Sequence, residues 1–200
     1  MNTIKIIVKG YAKEVNGGWI ASSNTTLIKV GKINIIVDPG INKKLLLKSL
    51  ANEGLGSRDI NYVYLTHYHP DHILLAALFE KAKIFDSETI YEKDKETSYG
   101  EFLPNTDIKV IKTPGHANEH SSLVVEIKDK GTVVVAGDVF WWTYGEKQNT
   151  DEQTLLEKND PFVIDNKALR KSRKTVLDAA DWIIPGHGKM FKNPRKSASK

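Results

Sequence analysis

The sequence contains no cysteine among its 200 residues. This absence excludes disulfide bonds, thiolate nucleophiles, iron–sulfur clusters and zinc sites of the cysteine type. Any metal ion that the chain binds must therefore be held by nitrogen and oxygen atoms of side chains such as histidine and aspartate.

Long hydrophobic runs are also missing. The longest uninterrupted apolar run has seven residues, at 73–79, whereas a membrane-spanning helix needs about 20. We therefore expect no transmembrane segment and no membrane partner. The first ten residues lack the apolar stretch and cleavage site of a secretory signal, and we expect a cytoplasmic protein.

Neither sign of charge is in large excess. The chain has 29 Lys and Arg against 25 Asp and Glu, a formal net charge of +4, and a sequence pI near 9.0. This balance is compatible with an anionic substrate but is too mild to indicate nucleic-acid binding. The hydrophobic share of 40% is that of an ordinary globular domain, which excludes a disordered or fibrous chain.

Short β-branched runs bounded by turn residues predict strands, and stretches with helical spacing predict helices. The strands are predicted at 4–8, 26–30, 33–37, 62–65, 108–111, 123–127 and 132–136, and the helices at 43–52, 71–82 and 165–180. The first three strands have no helix between them, which favours mixed over all-parallel sheets. Residues 87–104 are polar and weakly patterned, and we expect mainly loop there. We expect one α/β domain over residues 1–191 and a basic, flexible tail over residues 192–200.

Three of the six histidines fall within residues 67–72, in the pattern H-x-H-x-D-H. The predicted strand 62–65 ends just before this pattern, and a helix is predicted from Asp71. In open α/β sheets, ligands bind at the carboxyl ends of strands. His67 and His69 lie two residues apart on an extended segment, so their rings can face the same side.

Three more strand ends carry side chains of the same chemistry. His116 and His187 each follow a predicted strand and a Pro-Gly turn, and Asp138 follows a strand that runs out through a glycine. Any one of these residues alone could be a helix cap or a loop histidine. Together, five imidazoles and two carboxylates at four strand ends predict a bound ligand, and a metal is the most common one.

The combined pattern resembles the metallo-β-lactamase-fold superfamily over nearly the whole chain. The resemblance rests on Thr66-His67-x-His69-x-Asp71-His72, His116, Asp138, Pro185-Gly186-His187-Gly188 and the early turn Asp38-Pro39-Gly40. It implies a metallo-β-lactamase-type αββα sandwich, in which two mixed β-sheets are flanked by helices.

The resemblance also implies a hydrolase with a binuclear metal site. The implied ligands are His67, His69 and His116 for one ion, Asp71, His72 and His187 for the other, and Asp138 as a bridge between them. A hydroxide bridging the ions would be the nucleophile, and Asp71 would be catalytic because it orients that hydroxide and handles its proton. Imidazole and carboxylate ligands suit two zinc ions best, with manganese and iron as competitors.

Further residues are expected to support this site. By resemblance, Asp38, Thr66 and His120 would orient ligands through hydrogen bonds without binding metal themselves. The segment after Asp138 is rich in aromatic side chains, namely Phe140, Trp141, Trp142 and Tyr144. These four residues either pack in the core or in an oligomer contact, or they form the wall of a substrate pocket.

The leading interpretation is a metal-dependent hydrolase of an ester, a thioester or a phosphodiester. One alternative is a ribonuclease-type phosphodiesterase acting on RNA. An alternative of another class is a mononuclear iron dioxygenase on the same fold, and a binding protein with a vestigial site is a third. The expected partner is a small-molecule or phosphodiester substrate, and RNA and a second copy of the chain stay open as partners.

Overall fold

A computed structural model of the chain describes residues 1–197, which contain fourteen β-strands and five α-helices. The strands are β1 (Thr3–Val8), β2 (Tyr11–Val15), β3 (Gly18–Ser22), β4 (Thr25–Val30), β5 (Ile33–Val37), β6 (Tyr62–Tyr64), β7 (Lys83–Phe85), β8 (Thr89–Glu92), β9 (Lys95–Ser98), β10 (Lys109–Lys112), β11 (Ser121–Ile127), β12 (Gly131–Trp141), β13 (Trp182–His187) and β14 (Phe191–Lys192). The helices are α1 (Lys43–Asn52), α2 (Pro70–Ile73), α3 (Glu152–Glu157), α4 (Asn166–Ala179) and α5 (Pro194–Ser197).

The strands form two mixed sheets and a separate hairpin. The larger sheet has seven strands in the order β1-β4-β5-β6-β7-β8-β9, and β6 is parallel to both of its neighbours. The smaller sheet has five strands in the order β10-β11-β12-β13-β14, and β12 and β13 are parallel. The remaining pair, β2 and β3, is antiparallel and belongs to neither sheet.

The two sheets pack face to face, with helices on their outer faces. In β12, Val133 and Val135 point into the layer between the sheets, whereas Val134 and Ala136 point outward. The outer face of the smaller sheet packs on α3 and α4, and that of the larger sheet packs on α1. The predicted αββα sandwich of two mixed sheets is confirmed. Because both faces of the central strands are covered, the sequence of these strands is a continuous run of apolar residues.

Two predicted segments differ in the structure. The helix predicted over 71–82 is broken into α2 and a single 3₁₀ turn, Ala76–Leu78. The Leu75 N–H donates to the Gly40 carbonyl at 3.1 Å instead of to a carbonyl one turn earlier, so the helical ladder stops there. The expected loop over 87–104 contains β8 and β9, a hairpin that extends the larger sheet at its edge.

Regular structure continues beyond the predicted domain boundary at residue 191. Lys192 pairs with Trp182 in the smaller sheet, and the Asn193 side chain donates to the Leu177 and Ala180 carbonyls. Residues 198–200 of the predicted tail lie outside the described residues. Among the residues described, no helix has both the length and the apolar character needed to cross a membrane.

Candidate metal centre

All six histidines of the chain lie in one cluster, where strands of both sheets end. His67, His69 and His72 follow β6, His116 and His120 lie between β10 and β11, and His187 is the last residue of β13. Neighbouring imidazole rings have centroids 4.2 to 6.4 Å apart. The strand ends thus bring together residues that are up to 120 positions apart in the sequence.

Asp138 lies inside a strand and not after one as predicted. The strand β12 continues to Trp141, and its pairing with β13 shifts register on either side of Gly137. Irregularities in strand pairing, such as β-bulges, change the direction of side chains and are common next to active sites. Gly137 has a φ of +52°, and a Cβ there would lie 2.7 Å from His120 Nε2.

The cluster contains two groups of side chains that could each hold a metal ion. The first group is His67, His69, His116 and Asp138, and the second is Asp71, His72 and His187. Within each group, the possible ligand atoms all lie within 4.8 Å of one another. The seven residues predicted from the sequence as ligands are therefore the seven that the fold brings together.

The Asp138 carboxylate lies between the two groups. Its Oδ2 is 3.3 Å from His116 Nε2 and 3.8 Å from His67 Nε2, both in the first group. Its Oδ1 is 3.4 Å from His72 Nε2 and 3.9 Å from His187 Nε2, both in the second group. One oxygen thus faces each group. Gly186 makes room for this carboxylate, since a Cβ at position 186 would lie 1.7 Å from Oδ1.

Several polar atoms in the cluster are buried without a partner. His67 Nε2, His72 Nε2 and Asp138 Oδ1 have no hydrogen-bond partner among the described residues. Leaving a buried polar atom unpaired costs about 1–3 kcal/mol. All three atoms are lone-pair donors when the histidines are neutral, so a cation in the middle of the cluster is the chemical partner that fits them.

The opposite ring nitrogens of three histidines are held by hydrogen bonds that point the Nε2 atoms inward. His72 Nδ1 is 2.8 Å from Asp38 Oδ2, and His116 Nδ1 is 2.7 Å from Asp160 Oδ2. His67 Nδ1 is 3.0 Å from the Thr66 hydroxyl. Such outer hydrogen bonds set the tautomer and orientation of histidine ligands in metal sites.

Asp38 and Thr66, which the sequence predicts as supporting residues, contact each other directly. Both the backbone N–H and the hydroxyl of Thr66 donate to the Asp38 carboxylate, at 2.9 and 2.7 Å. Asp38 has a φ of +50°, in the left-handed region that aspartate tolerates better than most residues. This buried pair connects His67 and His72 through one carboxylate.

His120, the third predicted supporting residue, contacts the backbone of Asp138. Its Nε2 accepts the Asp138 N–H at 3.1 Å, so the ring proton is on Nδ1, which lies 2.9 Å from the Thr113 hydroxyl. Burial lowers the pKa of His120 to about 3. The ring is therefore neutral at physiological pH and acts as a hydrogen-bond acceptor.

The pKa values of the cluster are strongly perturbed. Burial lowers the pKa of His67, and the nearby His72 lowers it further. Burial also lowers the pKa of His72, but Asp138 and Asp38 outweigh burial and hold that pKa well above its ordinary value. Burial raises the pKa of Asp138, but His72 and His187 outweigh it, so this carboxyl has a pKa well below its usual range. Such opposed shifts are typical of functional sites.

A cavity of about 350 Å³ opens beside the cluster. Four of the seven clustered ligand candidates line it, namely His69, Asp71, Asp138 and His187. Its other lining residues are Ala12, Trp19, Ala21, Ile41, Pro70, Trp141 and Phe162. The cavity therefore has one polar wall, formed by the cluster, and otherwise apolar walls.

Of the four aromatic residues predicted as a pocket wall, only Trp141 lines this cavity. Phe140 and Trp142 point to the other face of β12, where both rings pack on Phe191. This opposition follows from the alternation of side chains along a strand. Tyr144 is 73% exposed and also lies outside the cavity.

Three residues at the site were not predicted from the sequence. Asp160, which holds His116, and Phe162 lie in the segment between α3 and α4, and Trp19 lies on β3. The run Asn159-Asp160-Pro161-Phe162 signals a turn. Nothing in that run indicates its distance from His116, because the contact joins residues 44 positions apart.

Comparisons with known proteins agree with this geometry. The family model described as "Metallo-beta-lactamase superfamily" matches residues 19–112. The chain is 30% identical to metallo-beta-lactamase domain-containing protein 1 of Xenopus laevis, over 96% of this chain and 82% of that protein. It is 32% identical to a probable metallo-hydrolase of Methanocaldococcus jannaschii, over 75% of this chain and 72% of that protein. Among solved structures, a metallo-beta-lactamase family protein from Thermus thermophilus matches with a TM-score of 0.63 and 19% identity, over 96% of this chain and 76% of that one.

Proposed function

Because the chain belongs to the metallo-β-lactamase superfamily, we propose that it is a hydrolase whose seven clustered side chains bind two divalent metal ions. The observation that carries this proposal is the position of Asp138. Each oxygen of its carboxylate faces a different group of histidines, and Oδ1 has no hydrogen-bond partner among the described residues.

The assignment of ligands follows from the two groups. His67, His69 and His116 would bind one ion, and Asp71, His72 and His187 would bind the other, with Asp138 shared between them. The contact of 3.0 Å between His69 Nδ1 and His116 Nε2 supports the first set, because two ring nitrogens converge there. The contact of 3.1 Å between Asp71 Oδ2 and His187 Nε2 supports the second.

The donor set suits zinc best, and manganese and iron are its competitors. When bound, two such ions would polarise a carbonyl or phosphoryl oxygen and would activate water as the nucleophile. The cavity lining contains no hydroxyl or thiol side chain among the described residues, so no serine, threonine, tyrosine or cysteine there can act as an alternative nucleophile.

Asp71 is the residue best suited to handle the proton. Its carboxylate lines the cavity and its side chain is 22% exposed, more than that of Asp138. Burial raises the pKa of Asp71, but the hydrogen bond to His187 and the nearby His72 outweigh burial, so the net shift is downward. Asp71 is therefore ionised at neutral pH and can accept a proton from water and return it to the leaving group.

Metal analysis of the unsupplemented protein, combined with assays on a thioester and on bis-p-nitrophenyl phosphate, tests this function. We expect two metal ions per chain and hydrolysis of at least one of the two substrates. Asp138→Asn should lose both properties. Asp129→Asn, an exposed change in the turn between β11 and β12, is the matched control and should keep both.

Other results of these measurements would indicate a different function. One iron ion per chain without zinc, together with no hydrolysis, would favour the iron dioxygenase. A metal-replete protein that is inert on both substrates and on a single-stranded RNA would favour a binding role. Either result would overturn the hydrolase proposal.

A further inference from the structure

Three aromatic rings from distant parts of the sequence meet at the cavity beside the cluster. Trp19 comes from β3, Trp141 from the end of β12, and Phe162 from the segment between α3 and α4. Their ring centroids are 5.4 to 6.1 Å apart. We refer to these three residues as the aromatic wall.

The aromatic wall is in contact with both groups of ligand candidates. The Phe162 ring lies 6.2 Å from the His69 ring and 6.5 Å from the His116 ring. The Trp141 ring lies 6.1 Å from the His187 ring. A substrate whose reacting bond reaches the cluster must therefore place its neighbouring atoms against these rings.

The charge of the cavity argues against a nucleic acid. Proteins bind single strands by combining stacking aromatics with a groove of Lys and Arg that follows the phosphates. Among the described residues that line this cavity there is no Lys or Arg that could follow a phosphate backbone. Trp19 meets Trp141 and Phe162 edge to face, at 74° and 65°, so it forms no parallel slot for a base with either ring.

Phe162 is held in place although its side chain is partly open to solvent. The residue is 43% exposed, and its backbone N–H donates to Asp160 Oδ1 at 3.0 Å. Two residues later, the Ile164 N–H donates to the Gly115 carbonyl at 2.9 Å, next to His116. A fixed, exposed apolar ring at the mouth of a cavity is typical of a ligand-binding surface.

From these observations we propose that the substrate is an uncharged carboxylic ester or thioester whose apolar acyl chain packs on the aromatic wall. This inference rests on the proposed hydrolase function and names its substrate class. Hydrolysis would add water across the acyl bond: the water oxygen bonds to the acyl carbon, the C–O or C–S bond breaks, and the water proton passes through Asp71 to the leaving oxygen or sulfur. The cavity volume of about 350 Å³ is at the small end of the usual range for ligand pockets, which suits a short chain.

A series of p-nitrophenyl esters tests the proposal with the zinc-loaded full chain. The acyl group is lengthened from acetyl through butyryl to hexanoyl, and each kcat/KM is divided by the hydroxide-catalysed rate of the same ester. We expect this ratio to rise about fourfold for each added methylene, which is the gain from burying one CH₂ group. Phe162→Ala should flatten the rise, and Phe162→Leu, which keeps an apolar side chain, should restore most of it.

Phe102→Ala is the matched control, because Phe102 is 49% exposed and does not line the cavity. This variant should keep the full dependence on chain length. An equal flattening in Phe102→Ala would assign the effect to general destabilisation and would overturn the role of the aromatic wall. Absence of any rise in the wild type would overturn the proposal, as would a kcat/KM for bis-p-nitrophenyl phosphate or a short RNA above that of every ester.

A binding measurement separates this inference from the proposed function. Butyramide and hexanamide are titrated into the metal-free protein, and tryptophan fluorescence is followed, since Trp19 and Trp141 line the cavity. We expect hexanamide to bind more tightly than butyramide, and Phe162→Ala to remove the difference. If metal binding and all hydrolysis fail while this difference persists, the hydrolase proposal fails and the apolar site stands. If hydrolysis occurs while the amides bind equally, the substrate class is wrong and the hydrolase stands.

Discussion

Asp160→Asn tests how the chain orients a histidine of the cluster. Asp160 is buried and accepts two hydrogen bonds, from His116 Nδ1 at 2.7 Å and from the Phe162 N–H at 3.0 Å. An asparagine has the same shape but only one carbonyl oxygen. Its NH₂ group must face one of the two N–H donors, so one of the two hydrogen bonds is lost.

The expected effect is a 10- to 100-fold weaker affinity for one metal ion. Loss of an outer hydrogen bond to a histidine ligand typically costs this much. The range corresponds to about 1.4–2.8 kcal/mol, which agrees with about 1.5–3 kcal/mol for a hydrogen bond to a charged group. Only the ion that we propose is bound by His67, His69 and His116 should be affected. The ion that we propose is held by Asp71, His72 and His187 should keep its affinity, because Asp160 contacts His116 of the other set.

A two-site zinc titration against a chromophoric chelator measures both affinities. Asp129→Asn is the control, since it makes the same chemical change at an exposed position. A thermal melt of the metal-free variants shows whether either change unfolds the chain. A crystal structure of the variant shows which hydrogen bond is lost, and two affinities unchanged within about twofold in a folded Asp160→Asn protein that has lost the bond to His116 would refute the orienting role. Equal weakening of both sites would refute the assignment of His116 to one of them.

Three further predictions concern the cluster itself. His69→Ala or Asp138→Asn should abolish turnover. Either variant should leave the far-ultraviolet circular dichroism unchanged, because neither residue belongs to the apolar core. Loss of the fold or unchanged turnover would contradict this prediction. Asp138 and Asp38 raise the pKa of His72, so protons should begin to displace metal above pH 6.5 and should displace more of it as the pH falls. Equilibrium dialysis that finds both ions retained at pH 4 would contradict this prediction. Burial lowers the pKa of His120 to about 3, so the metal-free protein should lose stability as pH falls from about 6.5 towards 3. Urea unfolding at pH 7 and 5 should show a smaller loss of stability in His120→Asn than in the wild type. Equal losses in the two proteins would refute this prediction.

The clustering of the seven ligand candidates could be predicted from the sequence because their signals are local. Each lies within an apolar strand or within eight residues after one, and the ends of neighbouring strands in a sheet meet in space. The helix α1 was predicted at its observed bounds, since Asn42 caps it and Leu46 and Leu50 give it one buried face. The helix predicted from Asp71 failed because the Leu75 N–H bonds to Gly40, a contact across 35 positions that no helical periodicity can indicate.

The cavity walls were harder to predict for a related reason. Phe140, Trp141 and Trp142 are adjacent in the sequence, but the strand alternation sends only Trp141 to the cavity. Its two partners in the aromatic wall come from β3 and from the segment before α4. A wall built from three distant segments leaves no spacing pattern in the chain, whereas a strand end followed by histidine does.

The segment between α3 and α4 connects the histidine cluster with the aromatic wall. It carries Asp160, which orients His116, and Phe162, which forms part of the aromatic wall. Arg173 of α4 anchors it from inside: its guanidinium donates to the Lys158 carbonyl at 2.7 Å and to the Val139 carbonyl at 3.2 Å. Val139 follows Asp138, so one buried cation connects the segment to the strand that carries Asp138. Because the proposed ligand His116 and the proposed acyl-binding ring of Phe162 depend on the same piece of backbone, a change in this segment is expected to alter metal affinity and chain-length preference together.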